Sequence, residues 1–374
     1  MEREDPTPFA ELPEALVEEM LSKSEQVGDT LHNSFEQIQN DKEKMRRDLL
    51  ERDMLKRDAE LGYPETPTTC GVDGSYAVER LLATDLAACA AVAVEGLIPP
   101  SEKRYWEKPW HRVSIHPEKH DPDTSTLTRG IMMQMECELA TKAPHDIVFL
   151  DGSLTTPLIY MNQAINKALE PKETNIAKTL KENFENFLFS YKAILDSSRT
   201  DKMWVAMPKY SSGKEVGQLL DWRQQYDDRA ILTALLSPGE FTTPVSLHEA
   251  ESPWHLKRPN SDIDRSFDSV IRRVQVLYYR PHNWTPAFRI EMAPAIATNC
   301  ARIAVLLQGL KHQCATPGIL EPYPLYMADR MVKHLGGAIP AFRQVATRRM
   351  AELHQGDVGD IFFNMHGYRT ESGR

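Results

Sequence analysis

Long apolar runs, paired cysteines and an excess of positive charge are all missing from this 374-residue sequence. The longest uninterrupted apolar stretch, residues 86–94, covers nine positions. A membrane-crossing helix needs about 20, so no membrane role is expected. The five cysteines, at 70, 89, 137, 300 and 314, contain no CxxC pair. That argues against a zinc module or a disulfide framework and fits a reducing cytoplasm. The acidic start, Met1-Glu2-Arg3-Glu4-Asp5, has no apolar core of the secretory type, and no signal peptide is expected. There is no phosphate-cradling P-loop and no Gly-x-Ser-x-Gly elbow, so neither ATP hydrolysis by this chain nor serine-hydrolase chemistry is expected. The net charge of −10 means that any polyanionic partner must be held by local basic patches against the overall field.

What is present is the composition of an ordinary globular protein, 41% hydrophobic and 26% charged, which excludes wholesale disorder. The length suits two domains, or one large domain with insertions. Residues 14–61 are almost free of Gly and Pro and read as helix. Within them Leu31, Phe35, Ile38, Lys42, Met45 and Leu49 step by alternating fours and threes, a coiled-coil seam broken once by Lys42. This predicts an N-terminal helical arm over 1–66, serving either as a helix packed on its own domain or as a dimer or partner-docking arm. From residue 67 strands alternate with helices, which predicts an α/β fold with a mixed sheet. The pattern predicts strands at 70–75, 88–94, 112–115, 147–150, 203–207, 274–279 and 287–292. Helices are predicted at 126–143, 157–168, 173–195, 228–236, 294–310, 326–335 and 341–354. A Pro-rich, charged stretch at 249–262 reads as a flap, and 356–374 as a frayed tail.

Two Asp-Gly-Ser triplets carry the most chemical information. Asp73 and Asp151 each stand where an apolar strand is predicted to end, followed by Gly and Ser. A carboxylate there projects past the sheet, and the glycine admits backbone or ligand. Taken singly each could be a plain β-turn. Glu136 lies on the otherwise apolar face of the helix between them, where an uncompensated carboxylate is costly; Glu138 is the rival on another face. Two strand-end Asp residues and an inward Glu suit a hard cation, Mg²⁺ or Mn²⁺, of the kind that supports phosphodiester cleavage. His111, His116 and His120 do not share one helix face, and the prolines between them make a zinc cluster the weaker reading.

The blocks CGVDGSYAVERLLATDLAACAAVAVEG, DIVFLDGSL, RIEMAP and PYPLYMADR together resemble the NurA nucleases, over about residues 68–349. The resemblance implies an RNase H-like core, a homodimer, and Mn²⁺-dependent (or Mg²⁺-dependent) DNA cleavage. It also implies partnership with HerA, a hexameric DNA-translocating ATPase, in DNA end processing and repair or in phage defence. By that resemblance Asp73, Glu136 and Asp151 are the catalytic, metal-binding carboxylates. Asp329 stands where many members carry a histidine and becomes a candidate fourth ligand; an acid can bind metal but cannot act as a neutral imidazole. Tyr323 belongs to the same block, with Glu321 or Pro322 near the usual place of the family tyrosine. Lys209 matches a family lysine that could contact phosphate, and Asp228 a family position that could equally be a helix cap. The alternative is a catalytically weak or inactive structural subunit of the ATPase complex.

Two basic–aromatic stretches complete the expectation of DNA binding, since cations hold phosphates while aromatic faces stack on unpaired bases. The first contains Lys103, Arg104 and Trp106, and the second Tyr278, Tyr279, Arg280, His282, Trp284 and Arg289. Either could instead be core or interface with snorkelling flanks.

Overall fold

The computed structural model describes residues 12–171, 174–210, 212–222, 227–247, 252–259 and 263–373. It divides into two units, one ending at Asp53 and one beginning at Met54. The first is built on a single helix, α1 (Glu14–Glu51), of 38 residues. On its seam Leu31 and Phe35 are 64% and 57% exposed. The helix stops ten residues short of the predicted end. The Arg52 N–H turns back onto the Asp48 and Leu50 carbonyls, and Asp53 takes a left-handed φ of 54°. The expected arm over 1–66 is therefore shorter, because Leu55–Arg57 (β1) is already a strand of the second unit.

The second unit opens with an antiparallel meander, β2 (Thr69–Leu81), β3 (Asp85–Glu95) and β4 (Trp110–Glu118). Helix α2 (Thr124–Lys142) then crosses to β5 (Ile147–Asp151), which lies parallel to β2. Three helices, α3 (Thr156–Ala168), α4 (Asn175–Glu182) and α5 (Phe184–Asp196), lead to β6 (Met203–Met207), parallel to β5. The predicted helix at 173–195 is thus two, divided at Asn183. The order β4-β3-β2-β5-β6, antiparallel then parallel, is an RNase H-like core.

The short helices α6 (Glu215–Leu219) and α7 (Asp228–Leu235) follow, then β7 (Glu240–Thr242) and β8 (Val245–Ser246). The predicted flap at 249–262 lies partly outside the described residues. Within 252–259, Leu256–Lys257 (β9) pairs with Ile263–Asp264 (β10) as a separate ribbon. After α8 (Ser266–Ile271), β11 (Gln275–Arg280) and β12 (Phe288–Met292) extend the main sheet beyond β6, with β7 and β1 at that edge. The chain continues through α9 (Pro294–Ala297), α10 (Cys300–Gln313), α11 (Tyr323–Lys333), α12 (Leu335–Leu353) and α13 (Val358–Asn364). It then adds one more strand, β13 (Gly367–Gly373).

That strand corrects the expectation of a frayed tail. β13 pairs antiparallel with the second half of β2, from Gly367 opposite Leu81 to Gly373 opposite Tyr76. The edge is available because β5 is registered with β2 only as far as Leu150 opposite Val72. Backbone groups left open on a strand edge recruit whatever chain can pair with them.

Alternation along the central strands feeds a core on each face of the sheet. Val72 and Val148 pack with Leu127, Ile131, Leu158, Phe187 and Tyr191 from α2, α3 and α5. Phe149, Val205 and Ile290 pack on the other face with Leu307, Leu310 and Leu325 from α10 and α11. Each such side chain contributes roughly 1.5–3 kcal/mol by leaving water, so the central strands hold their register firmly. No helix of the described residues is long and apolar enough to cross a membrane.

Candidate metal centre

The central feature is an opening in the sheet. β2 does not end at Asp73, as the sequence suggested, but runs on to Leu81. What ends there is its neighbour β5, at Asp151. Asp73 and Asp151 each come one residue after the registered pair Val72 and Leu150, so they leave adjacent parallel strands side by side. Their direction follows from the glycines around them. A Cβ on Gly71 would fall 2.4 Å from the Pro324 carbonyl carbon of α11, and one on Gly74 would fall 2.4 Å from Glu136 Oε1 on α2. Alternation therefore aims Asp73, like Gly71, toward α11. Both aspartates are anchored alike: the Gly74 N–H donates to Asp73 Oδ1 at 2.8 Å and the Gly152 N–H to Asp151 Oδ1 at 2.9 Å. Gly152 has a φ of +78°, a conformation open to glycine at little cost.

Helix α11 supplies the third acid. Carboxylate oxygens of Asp73, Asp151 and Asp329 all lie within 4.8 Å of one another, the one such metal-capable group among the described residues. Asp73 is 4% exposed, and its Oδ2 is buried without a hydrogen-bond partner. Burial, and then the charge of Asp151, push the Asp73 carboxyl up to about 7, against the pull of Lys209 and the Gly74 N–H. Glu136 approaches over Gly74 from the other side. It is outside the group of three but close enough that, after burial, Asp73 and Asp151 hold it well above the ordinary carboxylate range. Its rival Glu138 instead pairs with Arg112 at 3.0 Å and with Lys142.

Two ammonium groups reach this cluster. Lys209 Nζ lies 3.1 Å from Asp151 Oδ2, 3.0 Å from Glu321 Oε2 and 3.6 Å from Asp329 Oδ1. Lys333, one turn along α11, also pairs with Asp329. Burial alone lowers an ammonium, but Asp151 and Glu321 more than offset it and hold Lys209 well above its usual value. Among the described residues, five carboxylates and two ammonium groups meet here, and the buried Asp73 Oδ2 has no hydrogen-bond partner. A divalent cation with oxygen ligands fits that donor set.

Comparison with known proteins identifies the family and the fold. The family model described as the NurA domain matches residues 67–334, well over half of the chain. The chain belongs to the NurA family. The crystal structure of the NurA nuclease from Sulfolobus solfataricus superposes with a TM-score of 0.59 at 14% identity, covering 90% of this chain and 98% of that one. A second NurA crystal structure gives 0.54 at 15% identity, covering 90% and 99%. A NurA structure with manganese gives 0.49 at 15% identity, covering 86% and 98%. No curated protein matches the sequence.

The remaining residues expected from sequence fall outside this cluster or take other roles. Lys103 and Arg104 are exposed on the loop before β4. Trp106 is only 6% exposed; it stacks on Trp110 at 4.6 Å and meets the His145 ring edge-on. Its face is covered by protein, which corrects its expected role as a base-stacking platform. Arg280 is also corrected: its guanidinium donates to the carbonyls of Thr233, Leu236, Asn283 and Thr285, so it ties loops rather than phosphates. Tyr278 and Tyr279 are fully buried. Tyr323 is half-buried at the start of α11. His116 meets Ser114, and His120 pairs with Asp85. Asp228 is buried and accepts the Val216 and Gly217 N–H groups at 2.7 and 3.0 Å. It caps α6, not the helix it begins; Asp227 caps α7.

Sequence reasoning passed over Glu291 and Glu215 behind the cluster, and read their partners Arg289 and Tyr278, which are buried, as DNA contacts. Glu291 Oε2 accepts from Ser153 Oγ at 2.6 Å and from the Leu154 N–H at 2.9 Å. Its Oε1 accepts from Arg289 Nε at 2.9 Å. Arg289 then makes a two-pronged pair with Glu215, at 2.6 and 2.8 Å, and donates to the Tyr278 hydroxyl. This buried network fixes the turn that carries Asp151. Its sequence signal is two charged residues spaced by two in the otherwise apolar strand Phe288–Met292.

Proposed function

We propose that this NurA-family chain is a metal-dependent DNA nuclease, using Mn²⁺ or Mg²⁺ held by Asp73, Asp151 and Asp329, with Glu136 adjoining. The observation that carries the reading is the convergence of three carboxylates at the sheet opening, around an Asp73 oxygen that has no partner. A bound divalent ion there would supply Lewis-acid stabilisation of phosphoryl oxygens and an acidified water. The protein's own part is positional. The two glycine N–H groups fix one oxygen of each strand aspartate, and Glu291 sets the following turn through Ser153 and Leu154. Lys209 borders a cleft of about 660 Å³ shared with Tyr210, Ser212, Asp227 and Arg229, from which a phosphate can reach its ammonium. Ser153, whose hydroxyl is given to Glu291, is not the nucleophile; water attacks the phosphorus.

The wider reading is a cytoplasmic homodimer that degrades DNA delivered by a HerA-like hexameric ATPase, in end processing and repair or in phage defence. Its support is the family, together with a net charge of −10, which disfavours tight binding of free DNA. The test is cleavage of end-labelled single- and double-stranded DNA with Mn²⁺, Mg²⁺ or EDTA, by wild type and Asp73→Ala, with and without a HerA-like partner. Metal-dependent cutting lost in the variant is expected. Absence of cutting under every condition would leave a structural subunit of the ATPase complex as the better reading.

A further inference from the structure

Lys209 occupies an unusual place for a phosphate-binding lysine, because its ammonium is committed inward. The three carboxylates around it come from the end of β5 (Asp151), the segment before α11 (Glu321) and α11 itself (Asp329). Its backbone is anchored, since the Lys209 carbonyl accepts from Arg229. Its side chain is 23% exposed and borders the open cleft with Tyr210 and Arg229. Two of its partners, Asp151 and Asp329, belong to the three-acid group that a divalent ion would use. Cations of this charge cannot crowd onto the same oxygens without strong repulsion. The four-carbon stem of lysine lets its head swing while the backbone stays fixed.

We infer that Lys209 is a cation latch: its ammonium holds the ion's place among Asp151, Glu321 and Asp329 until a DNA phosphate in the cleft draws it outward, so that metal and DNA bind cooperatively. The inference rests on the nuclease reading above and deepens it. Metal entry expels the ammonium toward the cleft, where an anionic oxygen is its best new partner. DNA, by taking the ammonium, frees the carboxylates. Coupling of this kind is reciprocal, so each ligand tightens the other by the same factor.

The experiment is a Mn²⁺ titration of the full chain, followed by the electron paramagnetic resonance signal of free Mn²⁺. Wild type, Lys209→Met, Lys209→Gln and Asp151→Asn are compared, each with and without a phosphorothioate-linked oligonucleotide that resists hydrolysis. Without oligonucleotide, Lys209→Met and Lys209→Gln are expected to bind Mn²⁺ about tenfold tighter than wild type, a factor within the usual range of site-to-site coupling. The oligonucleotide should tighten wild type by a similar factor and leave both variants nearly unchanged. Both variants should cut DNA more slowly despite holding metal better. Equal or weaker Mn²⁺ binding by both, with Asp151→Asn still defective, would overturn the latch and leave the metal site standing. Absence of Mn²⁺ binding by wild type, oligonucleotide included, would overturn the metal-dependent reading itself.

Discussion

Asp73 and Asp151 lie one residue beyond the same strand pair, Val72 opposite Leu150, at the point where β5 stops and β2 continues. Two carboxylates set side by side in a partly desolvated opening repel each other, and the opening therefore favours a proton or a cation. Most of the expected behaviour of the protein follows from that arrangement.

Stability should fall with rising pH when no metal is present. The folded state raises Asp73 from an ordinary value of 3.8 to about 7, through burial and then Asp151. A raised carboxyl stabilises the fold while protonated; this contribution is complete below about pH 4 and is lost as pH rises through about 7. Melting temperature in EDTA should drop between about pH 4 and pH 7 and level off above that, and Asp73→Asn should flatten the drop. An unchanged pH slope in the variant would place the titrating group elsewhere.

Gly74→Ala should separate folding from activity. The new methyl would sit 2.4 Å from Glu136 Oε1 and 2.8 Å from Met132 Cγ. Overpacking of this kind costs about 1–3 kcal/mol, which a core of this size tolerates. Glu136 must move away from the opening, and cleavage is expected to fall by about 10²-fold or more, as when a precisely placed group shifts by an ångström. Denaturant unfolding and turnover on the same preparation check the two halves.

Glu291→Ala attacks both together. Glu291 is 1% exposed and shares Arg289 with Glu215. Removing one partner from a buried ion network costs about 3–5 kcal/mol. The Ser153 hydroxyl and the Leu154 N–H lose their acceptor at the same time. Urea unfolding should show the loss. Glu291→Gln, which keeps an acceptor for the turn, should recover more of the DNA cleavage than of the stability.

The exposed pair Lys103 and Arg104 tests the DNA contact expected on the loop before β4. If they meet phosphates, each Ala substitution weakens binding to all sequences alike and reduces the slope of log affinity against log salt by about one unit, somewhat less on single strands. Fluorescence anisotropy at several salt concentrations reads both quantities. An unaltered slope would remove this loop from the DNA path.

Much of the frame was legible in local pattern. The run Ile147-Val148-Phe149-Leu150 announces a strand buried on both faces, and the strand 203–207 occurs where its apolar run predicts. The doubled Asp-Gly-Ser singled out Asp73 and Asp151 because the same short string follows two apolar runs. Boundaries set by long-range pairing were not legible. β2 runs on through its Asp-Gly-Ser because β3 and β13 supply partners far along the chain. Trp106 and Arg280 were misread for the same reason, since a ring or a guanidinium in a basic–aromatic string looks alike whether it faces solvent or carbonyl oxygens.

By itself, then, the sequence determined the alternation of strands and helices, the two aspartates that follow apolar runs and the resemblance to NurA, all of which are written in short-range spacing. Only the tertiary structure decided which charges meet. Asp329 and Glu321 reach Asp151 because α11 lies directly on the bare backbone of Gly71. Lys209 enters their midst from the segment just after β6, and Glu291 supports the turn after Asp151 from β12. Electrostatic energy depends on separation in space and on exclusion of water, and neither quantity is written in the order of residues along the chain.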